Sequence, residues 1–201
     1  MSPRKLPHEA ELRRIVRDSD WLMGVLEAVR DCDPPDWLVG GGVLYKLVWN
    51  RLHGYLETAH VNDVDVVFFD SEDLSPEREQ TVERGLWARR PDVPWEAKNQ
   101  AAVHLWYEEK FGHAVPPLRS SEEGVGANPG TATAVGIRLL ADDDLYVAAP
   151  LGLDDLFEMV LRRNPRRVTP ESFRKWVVKK GIRERWPKVR IIDEDANPVS
   201  A

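Results

Sequence analysis

The sequence predicts an α+β fold in which a mixed β-sheet is flanked by helices. Three observations carry this. Stretches with apolar residues at three- and four-residue steps alternate with short β-branched runs. Two of those runs, 134–140 and 145–149, are joined through Asp142-Asp143-Asp144 and read as a hairpin, which argues against a uniformly parallel doubly wound sheet. A third run, Asn62–Asp70, contains Val64, Val66, Val67, Phe68 and Phe69 without a breaker and is the clearest strand in the chain.

Taken in order, Leu12, Ile15, Val16, Leu22, Val25, Leu26 and Val29 place an amphipathic helix over 9–30. Residues 31–36, with Pro34-Pro35, break it, and Trp37-Leu38-Val39 follow as a short strand ending in Gly40-Gly41-Gly42. Val43, Leu44, Leu47, Val48 and Leu52 then share a helical side, and Gly54 ends that helix. Along 62–70, strand alternation sets Asp63, Asp65 and Val67 on one face and Val64, Val66 and Phe68 on the other. Ser75-Pro76-Glu77 reads as an N-cap, a first-turn proline and a first-turn acid of a helix running to about residue 90. A strand is expected over 93–98, with Glu96 and Lys98 opposite Val93, Trp95 and Ala97. Helical spacing resumes over 99–112, residues 113–133 read as a long loop, and helices are expected over 151–163 and 170–180. The expected division is a domain over 1–165, including the N-terminal helix, and a basic helical extension over 166–201 packed on or next to it.

Composition narrows the class. Of 201 residues, 42% are hydrophobic and 31% charged, with eight Trp, a globular profile able to bury a real core. Trp21, Trp37 and Trp87 fall beside apolar periodic positions and are expected in that core. There is no apolar run near the length of a membrane span and no apolar N-terminal segment, so a cytoplasmic protein without a membrane partner is expected. Cys32 is the only cysteine, which rules out a disulfide framework or a thiolate metal cluster within one chain. The net charge of −6 is uneven, because residues 161–190 hold 12 basic and 2 acidic residues together with Trp176 and Trp186. Such a stretch suits an RNA backbone. It equally suits packing against the acidic body of its own chain.

Two carboxylates at i and i+2 on one strand face, Asp63 and Asp65, lie close enough to share divalent metal ions, which prefer hard oxygen ligands. A third acid would complete a two-metal set, and Glu96 is the candidate; Lys98 on the same face can approach a phosphate. Glu96 and Lys98 also fit an ordinary solvated strand face. The Gly40–Gly42 turn between strand and helix offers backbone N–H groups without side chains in the way, where a triphosphate can bind, although a tight turn needing positive φ explains it too. Asp154 and Asp155 suit the positive end of a helix dipole, Thr131 and Thr133 suit a turn, and the histidines lack zinc spacing.

In this order, Gly41-Gly42, a helix, then Asn62-Asp63-Val64-Asp65-Val66-Val67-Phe68-Phe69 resembles the polymerase-β-type nucleotidyltransferase superfamily. Trp37–Gly42, Trp95–Tyr107 and Ala149–Phe157 narrow the resemblance to a small bacterial nucleotidyltransferase group similar to the head domain of CCA-adding enzymes, spanning roughly Trp37 to Pro165. The resemblance implies a nucleotidyltransferase fold, Mg²⁺ or Mn²⁺ held by Asp63, Asp65 and Glu96, and a triphosphate cradle at Gly41 and Gly42, with Gly40 and Lys98 beside it. It implies transfer of a nucleoside monophosphate from an NTP to an unidentified acceptor hydroxyl; the basic stretch at 161–190 offers RNA or another compound as that acceptor. A nucleotide-binding sensor that has kept the fold without turnover is the alternative, and two-metal phosphodiester hydrolysis is a third reading.

Overall fold

The computed structural model describes residues 6–193. A five-stranded mixed sheet in the order β3-β2-β1-β4-β5 forms its centre. The strands are β1 (Leu38–Gly40), β2 (Val64–Phe68), β3 (Trp95–Asn99), β4 (Gly136–Leu139) and β5 (Leu145–Ala148). Only the β2–β3 pair is parallel; β1 runs antiparallel to both β2 and β4, and β4–β5 is the expected hairpin.

The N-terminal helix is two helices, α1 (Glu9–Arg17) and α2 (Asp20–Cys32). Ser19 interrupts the chain in extended geometry and its hydroxyl accepts the Leu22 N–H, an N-cap that starts a new helix inside a continuous apolar pattern. Helix α3 (Gly42–His53) is buried from Gly42 through Asn50 and stops at Gly54 in the left-handed region. Helix α4 (Pro76–Arg89) begins at its proline as expected, but the Ser75 hydroxyl donates to Asp73 instead of capping the helix. A 3₁₀ turn, Gln100–Ala102, leads into α5 (Val103–Phe111), which Gly112 closes at φ 78°.

Residues 113–133, expected as loop, contain α6 (Ser121–Gly126), capped by Ser120 through the Glu123 N–H, and a 3₁₀ turn at Thr131–Thr133. The expected helix over 151–163 is confined to α7 (Asp154–Phe157); the chain then extends into β6 (Val160–Arg162), which pairs in parallel with β7 (Arg190–Ile192). Partnering with a strand some thirty positions on overrides local helical spacing there. Between them lie α8 (Pro170–Lys179) and α9 (Ile182–Arg185).

The C-terminal elements share the main hydrophobic core with the sheet. Trp186 meets Trp49 and Tyr45 edge-on, each at 5.6 Å between ring centroids, and its indole N–H donates to Asn50 Oδ1 at 2.8 Å. Trp37 is buried, Trp21 is partly buried against the core, and Trp87 on α4 is 44% exposed, so it is a surface residue.

Candidate active site

The site is built where β1, β2 and β3 lie side by side. In register, Gly40 stands opposite Asp65 on one side, and Glu96 stands opposite it on the other. Residues paired across neighbouring strands point the same way, so Asp65 and Val67 share a face with Glu96 and Lys98. Val64, Val66 and Phe68 point into the core with Trp95 and Ala97, which fixes the register: a one-residue slip would bury the carboxylates.

Gly41 turns the chain from β1 into α3 with φ 53° and ψ −102°, a backbone conformation that suits only glycine. Gly42 has ordinary geometry but no room. A Cβ there would stand 3.2 Å from Asp65 Oδ2, 3.3 Å from Asp63 Oδ1 and 3.6 Å from Lys46 Nζ. The missing side chain thus leaves a gap on which two carboxylates and an ammonium converge. The Gly42 N–H points at Asp65 Oδ2 from 3.4 Å, at the N-terminal end of α3.

The two carboxylates differ sharply. Asp65 is mostly buried, and its carboxyl is pushed up to about 6 by burial, then by the neighbouring charges of Asp63 and Glu96, against the Gly42 N–H and Lys180. Burial also acts on Asp63, but hydrogen bonding and charge from Lys46, with Lys180 behind, prevail and hold it below the ordinary carboxylate value. Lys46 Nζ is 2.6 Å from Asp63 Oδ1 with its side chain 2% exposed, and Lys180 Nζ is 3.5 Å from Oδ2. The Tyr45 hydroxyl is buried without a hydrogen-bond partner among the described residues, and burial with the charges of Asp63 and Asp65 keeps it protonated.

Of the residues indicated by sequence, Gly40, Gly41, Gly42, Asp63 and Asp65 therefore meet at one point. Glu96 lies on the adjacent strand, exposed and close enough for its charge to act on Asp65. Among the described residues, no three carboxylate, histidine or cysteine side chains gather tightly enough to enclose a metal ion, so Glu96 stands beside the pair without closing on it. Lys98 is half-exposed, ion-paired with Glu79 of α4 at 3.0 Å, and lines the same cavity as Gly40, Gly41 and Asp65. Asp155 accepts hydrogen bonds from Thr131 and Arg162 and is structural.

Lys46 and Lys180 are the residues the sequence leaves unmarked. A lone lysine among Val43, Leu44, Tyr45, Leu47 and Val48 is a legible sign of a buried, paired charge. Lys180 carries no such sign, because its partner lies 117 residues away.

An α+β domain with an acidic pair beside a glycine turn is the arrangement expected of a nucleotidyltransferase. A family model described as "Nucleotidyltransferase" matches residues 27–191, and the chain belongs to that family. It is also similar to a structure solved by NMR and described as revealing a CCA-adding enzyme head domain, with 28% identity and a TM-score of 0.76 over 91% of this chain and 95% of that one. No curated protein matches the chain. No helix among the described residues is long and apolar enough to cross a membrane.

Proposed function

We propose that the protein transfers a nucleoside monophosphate from an NTP to an acceptor hydroxyl, releasing pyrophosphate. The observation that carries this is the convergence of Asp63 and Asp65 on the gap above Gly42, at the start of α3. That gap offers hard oxygen donors from two neighbouring carboxylates, so the residues fit a divalent cation. Asp63 and Asp65 would hold Mg²⁺ or Mn²⁺, with Glu96 as a third acid. Bound there, the cation supplies charge neutralisation on the phosphates and makes the acceptor hydroxyl more acidic.

The chain's own residues do the rest. The Gly41 N–H is spent on the Val135 carbonyl, so the Gly40–Gly42 turn receives the β- and γ-phosphates through the N-terminal end of α3 at Gly42, and Lys98 adds positive charge on the same side. The acceptor oxygen forms a bond to the α-phosphorus as the bond from that phosphorus to the oxygen bridging to the β-phosphate breaks. The bridging oxygen leaves with its electron pair as pyrophosphate, and Glu96, exposed beside Asp65, positions the acceptor and takes its proton.

One observation favours a second reading, NTP binding without turnover: two lysines already neutralise Asp63 where transfer needs a cation. Incubation with α-labelled NTPs, Mg²⁺ or Mn²⁺ and a panel of RNA, protein and small hydroxyl acceptors separates the two. Transfer lost in Asp63→Asn and Asp65→Asn supports the first. Tight NTP binding with no label moved across the panel supports the second.

A further inference from the structure

A cavity of about 510 Å³ opens from Gly40, Gly41 and Asp65 and runs between α5 and α8, away from the carboxylates. Its volume lies in the range of small-molecule sites. The wall is aromatic, with Trp106, Tyr107 and Phe111 from α5 and Trp176 from α8. It is also cationic. Lys98, Lys110 and Arg167 line it, and Asp65 is the sole acid among its lining residues, in a protein whose net charge is −6. The Arg167 guanidinium lies 4.9 Å from the Tyr107 ring centre, and its Nε is buried with no hydrogen-bond partner among the described residues.

Aromatic rings call for a flat apolar ligand surface, and cations with an unused buried donor call for an anion. A nucleotide combines the two, and the cavity begins at the turn proposed to hold phosphates. We propose that this cleft seats the nucleoside half of the NTP, its base stacked on the α5 and α8 aromatics and its phosphates led past Arg167 and Lys98 to the glycine turn. This rests on the transferase reading above. It also gives the basic stretch at 161–190 a specific role, since α8 supplies one wall of the nucleotide site.

Calorimetric titration of the full chain in Mg²⁺ with each of the four NTPs and with inorganic tripolyphosphate tests this. At least one NTP is expected to bind about 10-fold or more tighter than tripolyphosphate, in keeping with stacking energies of roughly 1–3 kcal/mol per base. Trp176→Leu is expected to weaken that NTP about 10-fold and leave tripolyphosphate unchanged, Arg167→Met to weaken both, and Trp176→Phe, which keeps a ring, to retain most of the affinity. Thermal melting within a few degrees of wild type confirms that each variant is folded. Equal affinities for NTP and tripolyphosphate in the wild type overturn the cleft assignment and leave the transferase reading standing. Variants that lose binding of a single-stranded RNA oligonucleotide while keeping NTP also overturn it, and make the cleft the acceptor's. If NTP binds through the cleft and no label is ever transferred, the cleft stands and the transferase reading falls.

Discussion

Replacing Asp65 with Asn is expected to make the protein more stable while disabling it. In the folded chain the Asp65 carboxyl sits at about 6 against an ordinary value of 3.8. The folded state therefore binds this proton more tightly than the unfolded state does. Its stabilising effect is full below pH about 4 and is lost as pH rises through 6. Above that, ionised Asp65 costs the fold about 3 kcal/mol by linkage, an upper value because the residue keeps some contact with solvent. Asn keeps the shape and an oxygen for the Gly42 N–H but carries no charge. In a domain of this size the gain corresponds to a melting temperature higher by roughly 5–10 °C at pH 7.5 without divalent ions. At pH 4 wild type and variant should converge. Millimolar Mg²⁺ should raise the wild-type melting temperature and leave the variant unmoved. Circular-dichroism melts at both pH values, with and without Mg²⁺, check all three. A variant no more stable than wild type at pH 7.5, or equally stabilised at both pH values, would refute the reasoning that burial, with the charges of Asp63 and Glu96, makes ionised Asp65 costly to the fold.

Other perturbations follow from the same geometry. Gly42→Ala places a methyl within 3.3 Å of both Asp63 and Asp65 oxygens, so Mg²⁺-dependent NTP affinity should fall at least about 10-fold in calorimetry, with a loss of stability of about 1–3 kcal/mol. Unchanged affinity would locate the phosphates elsewhere. Lys46→Met removes the close partner of a largely buried carboxylate and should cost about 3 kcal/mol in urea unfolding, with part recovered when Asp63→Asn is added. Trp186→Ala empties a three-ring cluster and orphans Asn50 Oδ1, and should cost about 3–5 kcal/mol by the same measurement.

The site was more legible in the sequence than its surroundings. Strand alternation alone put Asp65 and Val67 opposite Val64, Val66 and Phe68, and the glycine triplet marked the turn, because both signals are local. The failures have two causes, one local and one tertiary. Ser19 splits a continuous apolar stripe because its hydroxyl offers the backbone a local bond that periodicity does not register. Residues 160–162 are strand because 190–192 lie alongside, and Trp87 faces solvent although it sits near apolar positions on α4. Tertiary partners decided these, and spacing holds no trace of them.

In the basic stretch at 161–190, several charges are paired within the chain. Arg162 pairs with Asp155, Arg174 with Asp193, Lys175 with Glu171, and Lys180 with Asp63. Part of the segment's charge, Arg163 with Asp193 included, is thus engaged inside its own chain, and among the described residues Lys180 is the one of these that reaches the carboxylates of the site. That contact is one-third exposed and 3.5 Å long, so it is worth no more than about 1 kcal/mol to the fold. A structural role would leave Lys180→Gln catalytically silent. If a cation takes over Asp63, however, the Lys180 ammonium is released beside the phosphates, where its charge is used only with nucleotide present. Lys180→Gln should then melt within about 2 °C of wild type yet show a KM for NTP raised roughly 10-fold, with a smaller change in kcat. Unchanged kinetics would make Lys180 a bystander, and the site's positive charge would fall to Lys46, Lys98 and Arg167.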